Sequence, residues 1–165
     1  MGFLIHCLIC KGDFTDGRAF TGTWGVPFPR DHHLFEFCDG GLHLDCLETW
    51  THRAEYSRGY FDMARAGFLD MGTLLCDSSS WILGCGPATP VQDPYYAEVR
   101  LADWPMRLYS KFDTWNEFAD GGYREGLTGQ ALAAADKVMR QVSTVAPDTA
   151  AIRKLRRERF TKDAR

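Results

Sequence analysis

Between residues 18 and 26 the chain alternates, with Phe20, Gly22, Trp24 and Val26 sharing one face, and this period of two predicts a strand. Pro27-Phe28-Pro29-Arg30-Asp31 then turns the chain, because proline cannot continue a ladder. Residues 33–38 read as the returning strand, stopped by Asp39-Gly40-Gly41. A helix is expected over 43–58, with Leu47, Trp50, Ala54 and Phe61 along one stripe.

Three strands are predicted next, over 72–77, 80–85 and 95–101, the first two joined by the turn Asp77-Ser78-Ser79. The third alternates throughout: Tyr95, Ala97, Val99 and Leu101 face one way, Tyr96, Glu98 and Arg100 the other. Trp104, Leu108, Phe112, Trp115 and Ala119 recur at helical spacing behind a capping Asp103 and a first-turn Pro105. A helix is therefore expected over 104–119, closed by Asp120-Gly121-Gly122. Another is expected over 129–143 with Ala131, Ala135, Val138 and Val142 inward, and a basic one over 149–161 beyond Pro147. The fold class that follows is α+β: an N-terminal cysteine-rich hairpin-and-helix unit, a small antiparallel sheet, then helices. Its expected segments are 1–66 for the first unit, 67–148 for strands and helices packed on it as one globular body, and 149–165 for a basic helix or tail.

The chemistry concentrates near the N-terminus. Cys7-Leu8-Ile9-Cys10-Lys11-Gly12 is a C-x-x-C-x-G turn, which can aim two thiolates at one ion and uses Gly12 to relieve a strained backbone position. A redox pair is the other reading of C-x-x-C, but it needs a strand running into a helix, and here a strand-and-turn region follows. His43-Leu44-Asp45-Cys46 puts two donors three residues apart at a helix start, on one face, where the helix dipole favours the Cys46 thiolate. Cys7, Cys10, His43 and Cys46 are therefore the expected ligands of one structural Zn2+, with Cys38 open as an alternative to His43. Cys76 and Cys85 fall in apolar strands and read as small buried hydrophobes.

A zinc knuckle, a hairpin, and a helix whose first turn supplies two ligands resemble a treble clef, over about residues 5–60. That resemblance implies a metal-stapled unit and leaves function open, since treble clefs serve nucleic-acid binding, protein binding, nuclease chemistry and plain folding. Cys38, His43 and Cys46 also resemble the middle of a RING finger, but that family needs a second ligand set around a second ion, and neither a Cys at Thr49 nor a later C-x-x-C is present. Asp31-His32-His33 ahead of the helix resembles HNH nucleases in outline, which implies a histidine general base and a metal-binding Asn or His on the helix. Asn116, the only asparagine, lies in a distant segment, His52 is a loose substitute, and the plainer reading of His32 and His33 is a solvated turn.

Composition then bounds the class. A chain of 165 residues, 45% hydrophobic and 25% charged, is long enough for a real core, and 13% aromatics can make that core dense. Charge is uneven. Residues 151–165 hold seven Lys and Arg against Glu158 and Asp163, a net +5, which leaves −8 for the rest of a chain totalling −3. The acidic, aromatic body suits a protein partner, in an immunity or adaptor role, for a small non-enzymatic binding protein. The basic tail makes nucleic-acid binding the second reading, and a degenerate HNH-like nuclease is the third. Four protein ligands leave a zinc ion no open position, so neither catalysis nor a small-molecule substrate is expected. No apolar run reaches the length of a membrane span and the first residues lack the basic start of a secretion signal, so a cytoplasmic location with reduced thiols is expected.

Overall fold

The alternation around Phe20 yields a short strand, β1 (Phe20–Gly22), which pairs antiparallel with β2 (Gly41–His43) in the register Phe20↔His43, Thr21↔Leu42, Gly22↔Gly41. The computed structural model describes residues 6–86 and 92–163, so the first five residues, the segment 87–91 and the last two tail residues lie outside it. The returning strand expected at 33–38 is instead a 3-10 turn, Phe35–Phe37, and the strand begins where the glycines suggest a stop. Aromatic packing is the reason. The Phe37 ring lies 4.8 Å from Trp50, and the Phe37 carbonyl accepts the Tyr56 hydroxyl at 2.5 Å, so this stretch is shaped by what it covers.

β2 runs straight into α1 (Leu44–Thr49), and α2 (Arg53–Asp70) follows. The single helix expected over 43–58 is thus two. Trp50 leaves the helical path with an extended backbone (ψ 121°) and packs between Phe37 and Tyr56. The boundary expected at residue 66 falls inside α2.

The second sheet joins β3 (Leu74–Asp77), β4 (Trp81–Cys85), β5 (Tyr96–Leu101) and β6 (Arg107–Lys111), in that order and antiparallel throughout. The first three match the predicted strands with trimmed ends. The fourth takes the middle of the helix expected over 104–119. Arg107, Tyr109 and Lys111 point outward while Leu108 and Ser110 are buried, an alternation the wider spacing hides. Beyond β6, a 3-10 turn (Phe112–Thr114) leads into a short α-helix, α3 (Trp115–Ala119). α4 (Gly129–Val145) and α5 (Thr149–Asp163) complete the chain, giving an α+β fold with two small antiparallel sheets and five helices among the described residues.

Both faces of the larger sheet are covered. Trp81, Leu83, Ala97, Val99, Leu101 and Leu108 share one core with Ala131, Ala135, Val138 and Val142 of α4, and with Leu42, Leu44, Leu47 and Tyr56 of the N-terminal unit. A smaller cluster on the other side joins Phe61 and Phe68 of α2 to Leu74 and Ile82. The N-terminal unit and the helices also meet through Glu48 of α1, whose carboxylate accepts the backbone amide of Gln130 in the first turn of α4 at 2.6 Å. α5 docks through Ile152, fully buried in the main core, with Leu155 packed against it. Its arginines do not all face outward. Arg156 is buried, and Arg153 closes a two-pronged pair on Asp93 at 2.9 and 2.7 Å. The Phe160 side chain lies outside the described residues.

Candidate metal centre

Two backbone hydrogen bonds close the Cys7–Gly12 turn, from Lys11 N to Cys7 O and from Cys7 N to Gly12 O, each at 2.8 Å. Lys11, not Gly12, carries the left-handed backbone (φ 60°). Gly12 is required for space: a Cβ there would come within 2.9 Å of Arg18 Nη2 and 3.3 Å of Cys10 Sγ. The turn is stitched to the next ligand pair by Leu8 N donating to Gly41 O at 2.9 Å, which lays the knuckle alongside β2.

That arrangement brings together all four expected residues. The ligand atoms of Cys7, Cys10, His43 and Cys46 lie within 4.8 Å of one another. Cys38 stays outside, its thiol directed at the Leu34 carbonyl at 3.6 Å and burial pushing its pKa up. His43 is the last residue of β2 and occupies the cap position of α1, while Cys46 sits in the first turn of that helix. The strand end thus supplies the imidazole and the helix start the thiolate.

The donor set fits a metal on distance and on chemistry. Cys10 Sγ and His43 Nδ1 are 3.5 Å apart. The sulfur-to-nitrogen edge of a tetrahedral zinc site built from three thiolates and one imidazole, with ordinary bond lengths, is about 3.6 Å. Nδ1 is therefore the nitrogen that would ligate an ion here. Nε2 points the other way, buried and without a hydrogen-bond partner, 3.6 Å from Asp16 Oδ1. A slight closing of that gap sets the carboxylate–imidazole–metal arrangement that fixes ring orientation in metal sites.

Backbone and side-chain donors surround the sulfurs. His43 N reaches Cys7 Sγ at 3.3 Å and Gly12 N reaches Cys10 Sγ at 3.4 Å. The Arg18 guanidinium spans Cys10 Sγ at 3.6 Å and Cys46 Sγ at 3.7 Å, and Asp16 (2.7 Å) and Asp45 (3.4 Å) anchor it. The Gly12 amide, helped by His43 and Arg18, draws the Cys10 thiol down to about 6, whereas burial and the adjacent Cys10 sulfur push Cys46 up to about 12. Thiols gathered within 4.8 Å of one another oppose one another's ionisation. A dication at their centre lets them ionise together.

Comparison with protein-family models, curated proteins and solved structures returned no match.

The assignment of a possible metal site therefore rests on these donors themselves. Arg18 and Asp16, which complete the site's surroundings, carry no signal in the cysteine spacing. They belong to the short turn before β1, and only the folded chain returns that turn to the sulfurs. Cys76 and Cys85 stay apart from the quartet; Cys85 is buried, its thiol pushed up to about 11 by burial and directed at the Thr73 carbonyl. Asp31-His32-His33 lies in the turn ahead of Leu34, and His32 and His33 face Glu55 of α2. Asn116 is committed elsewhere, its side-chain oxygen accepting Thr149 N at 2.9 Å. No described helix is long and apolar enough to cross a membrane.

Proposed function

We propose that this chain is a small, zinc-stapled, treble-clef-type binding protein whose partner is another protein. Zinc is the ion that three thiolates and one imidazole on a tetrahedral frame select, and with every position filled by the chain it is structural. The observation that carries the binding reading is an exposed apolar strip beside the centre. Phe20 is 49% exposed, Trp24 62% and Val26 50%. The strip is coupled to the ion site, because Phe14 packs on both Phe20 (4.5 Å) and the His43 ring (4.9 Å). Large apolar side chains exposed on β1 and on the loop that follows it suit a protein interface of the adaptor or immunity kind. The proposal includes a cytoplasmic location, where reducing conditions keep thiols available to metal.

The nucleic-acid reading draws less support, since Arg153 is engaged by Asp93 and Arg156 is buried. The nuclease reading draws less still, with Asn116 bound to the start of α5. The test is capture from the native host with wild-type protein and with Trp24→Asp, zinc content being checked in both. A specific protein retained by the wild type and lost by the variant supports the reading. Identical capture by both, or a salt-sensitive shift of DNA or RNA by the wild type, contradicts it.

A further inference from the structure

A second group of donors lies outside the cysteine centre. His32 Nε2 is 3.4 Å from Glu55 Oε1, and His33 Nε2 is 3.3 Å from Glu55 Oε2. The three ligand atoms lie within 4.8 Å of one another. Two imidazole nitrogens converge on the two oxygens of one carboxylate, from residues adjacent in a turn and from the first turn of an 18-residue helix.

The donors are held by packing. The His32 ring stacks on Phe28 at 4.6 Å and on His33 at 4.5 Å, and His33 meets His52 at 5.1 Å. Phe28 is in turn seated over α2, where Gly59 leaves room for its ring. Stacked imidazoles that both aim at one carboxylate suit a shared cation better than two positive rings, which would repel at that spacing. Ligand atoms bound at ~2.1 Å to one ion sit ~3.0–3.4 Å apart, and the two nitrogen–oxygen pairs already show that separation.

From this geometry we propose that His32, His33 and Glu55 form a second, exchangeable site for a borderline divalent ion of the zinc class. Two imidazole nitrogens and a carboxylate suit such an ion better than magnesium or calcium, which favour oxygen alone. The donors approach from one side and are partly exposed, so the ion keeps open positions for water or for an oxygen of a bound molecule. Leu34 N donates to His32 Nδ1 at 3.2 Å, which places the proton of the neutral metal-free ring on Nε2. Loading moves that proton to Nδ1 and gives up the Leu34 hydrogen bond. The site is therefore weaker than the cysteine centre, and its ion exchanges.

The test uses tag-free full-length protein already carrying one zinc, titrated with cobalt(II) and followed by calorimetry and visible absorption. The expected result is a second equivalent bound with weak d–d bands and no sulfur-to-cobalt charge transfer. Its affinity should fall at least about tenfold in both His33→Ala and Glu55→Gln, while the first zinc remains. No second equivalent in the wild type, or unchanged affinity in both variants, overturns the proposal.

Discussion

Cys46 and Cys85 are both cysteines in secondary structure, yet their environments assign them opposite consequences. Cys46 lies within metal-ligand reach of Cys7, Cys10 and His43, so serine there removes a ligand and the folding energy linked to the ion, a loss of several kcal/mol. Cys85 Sγ already points at the Thr73 carbonyl at 3.7 Å, so a serine hydroxyl inherits a partner and the cost stays near about 1 kcal/mol. Thermal melts of Cys46→Ser and Cys85→Ser should rank them in that order; the reverse order would mean the ligands are misassigned. Arg18 supplies a different test at the same scale. Its guanidinium touches two sulfurs without being a ligand, so Arg18→Gln should weaken metal affinity about 10–100-fold while leaving the number of ions unchanged. Competition against a chromophoric chelator measures this, and an unaltered affinity would make Arg18 a bystander.

At the scale of elements, α2 is tied to β3 by Arg65, whose Nε and Nη2 both reach the Asp77 carboxylate, the shortest contact being 2.6 Å. That pairing holds the Asp77 carboxyl below its ordinary range. A lowered carboxylate pKa stabilises the fold above the ordinary value and ceases to do so as pH falls through the lowered one. Asp77→Asn should thus cost no more than about 1 kcal/mol at neutral pH, because the pair is largely exposed. The gap between the two melting curves should close as pH falls out of the ordinary carboxylate range and through the lowered value. A gap unchanged by pH would show that the pair's charge contributes nothing. The elements also show where sequence patterns mislead. Trp104, Leu108 and Phe112 are four residues apart, and a spacing of four satisfies a period of two as well as a helical turn. All three are buried as expected, but Leu108 is buried from a strand. β5 and α4 were legible because their patterns fit one period only, and β3 and β4 because the turn Asp77-Ser78-Ser79 separates two short apolar runs. The turn at Phe35–Phe37 was not, since its shape comes from Trp50 and Tyr56, far along the chain.

Across the whole molecule, one core joins the N-terminal unit, the larger sheet and α5. Deleting everything after Ala150 removes fully buried Ile152, partly buried Leu155 and the Arg153–Asp93 pair. The expected loss exceeds about 2 kcal/mol, the apolar burial alone being of that order. A truncated chain that melts like the full one would show that the basic segment is an independent arm, available to phosphates. The four cysteine-site ligands were legible because metal spacing is a local property repeated twice. Arg18 and Asp16 were not, because only the folded turn before β1 returns them to the sulfurs, and neither was the approach of His32 and His33 to Glu55, which depends on how the long connection between β1 and β2 folds back.

The centre itself is tested most directly by elemental analysis of tag-free protein dialysed against a mild chelator to strip exchangeable ions. The wild type should hold one zinc per chain, and Cys46→Ser should lose it together with the N-terminal fold. Folded wild-type protein holding less than about half an equivalent of zinc would contradict it.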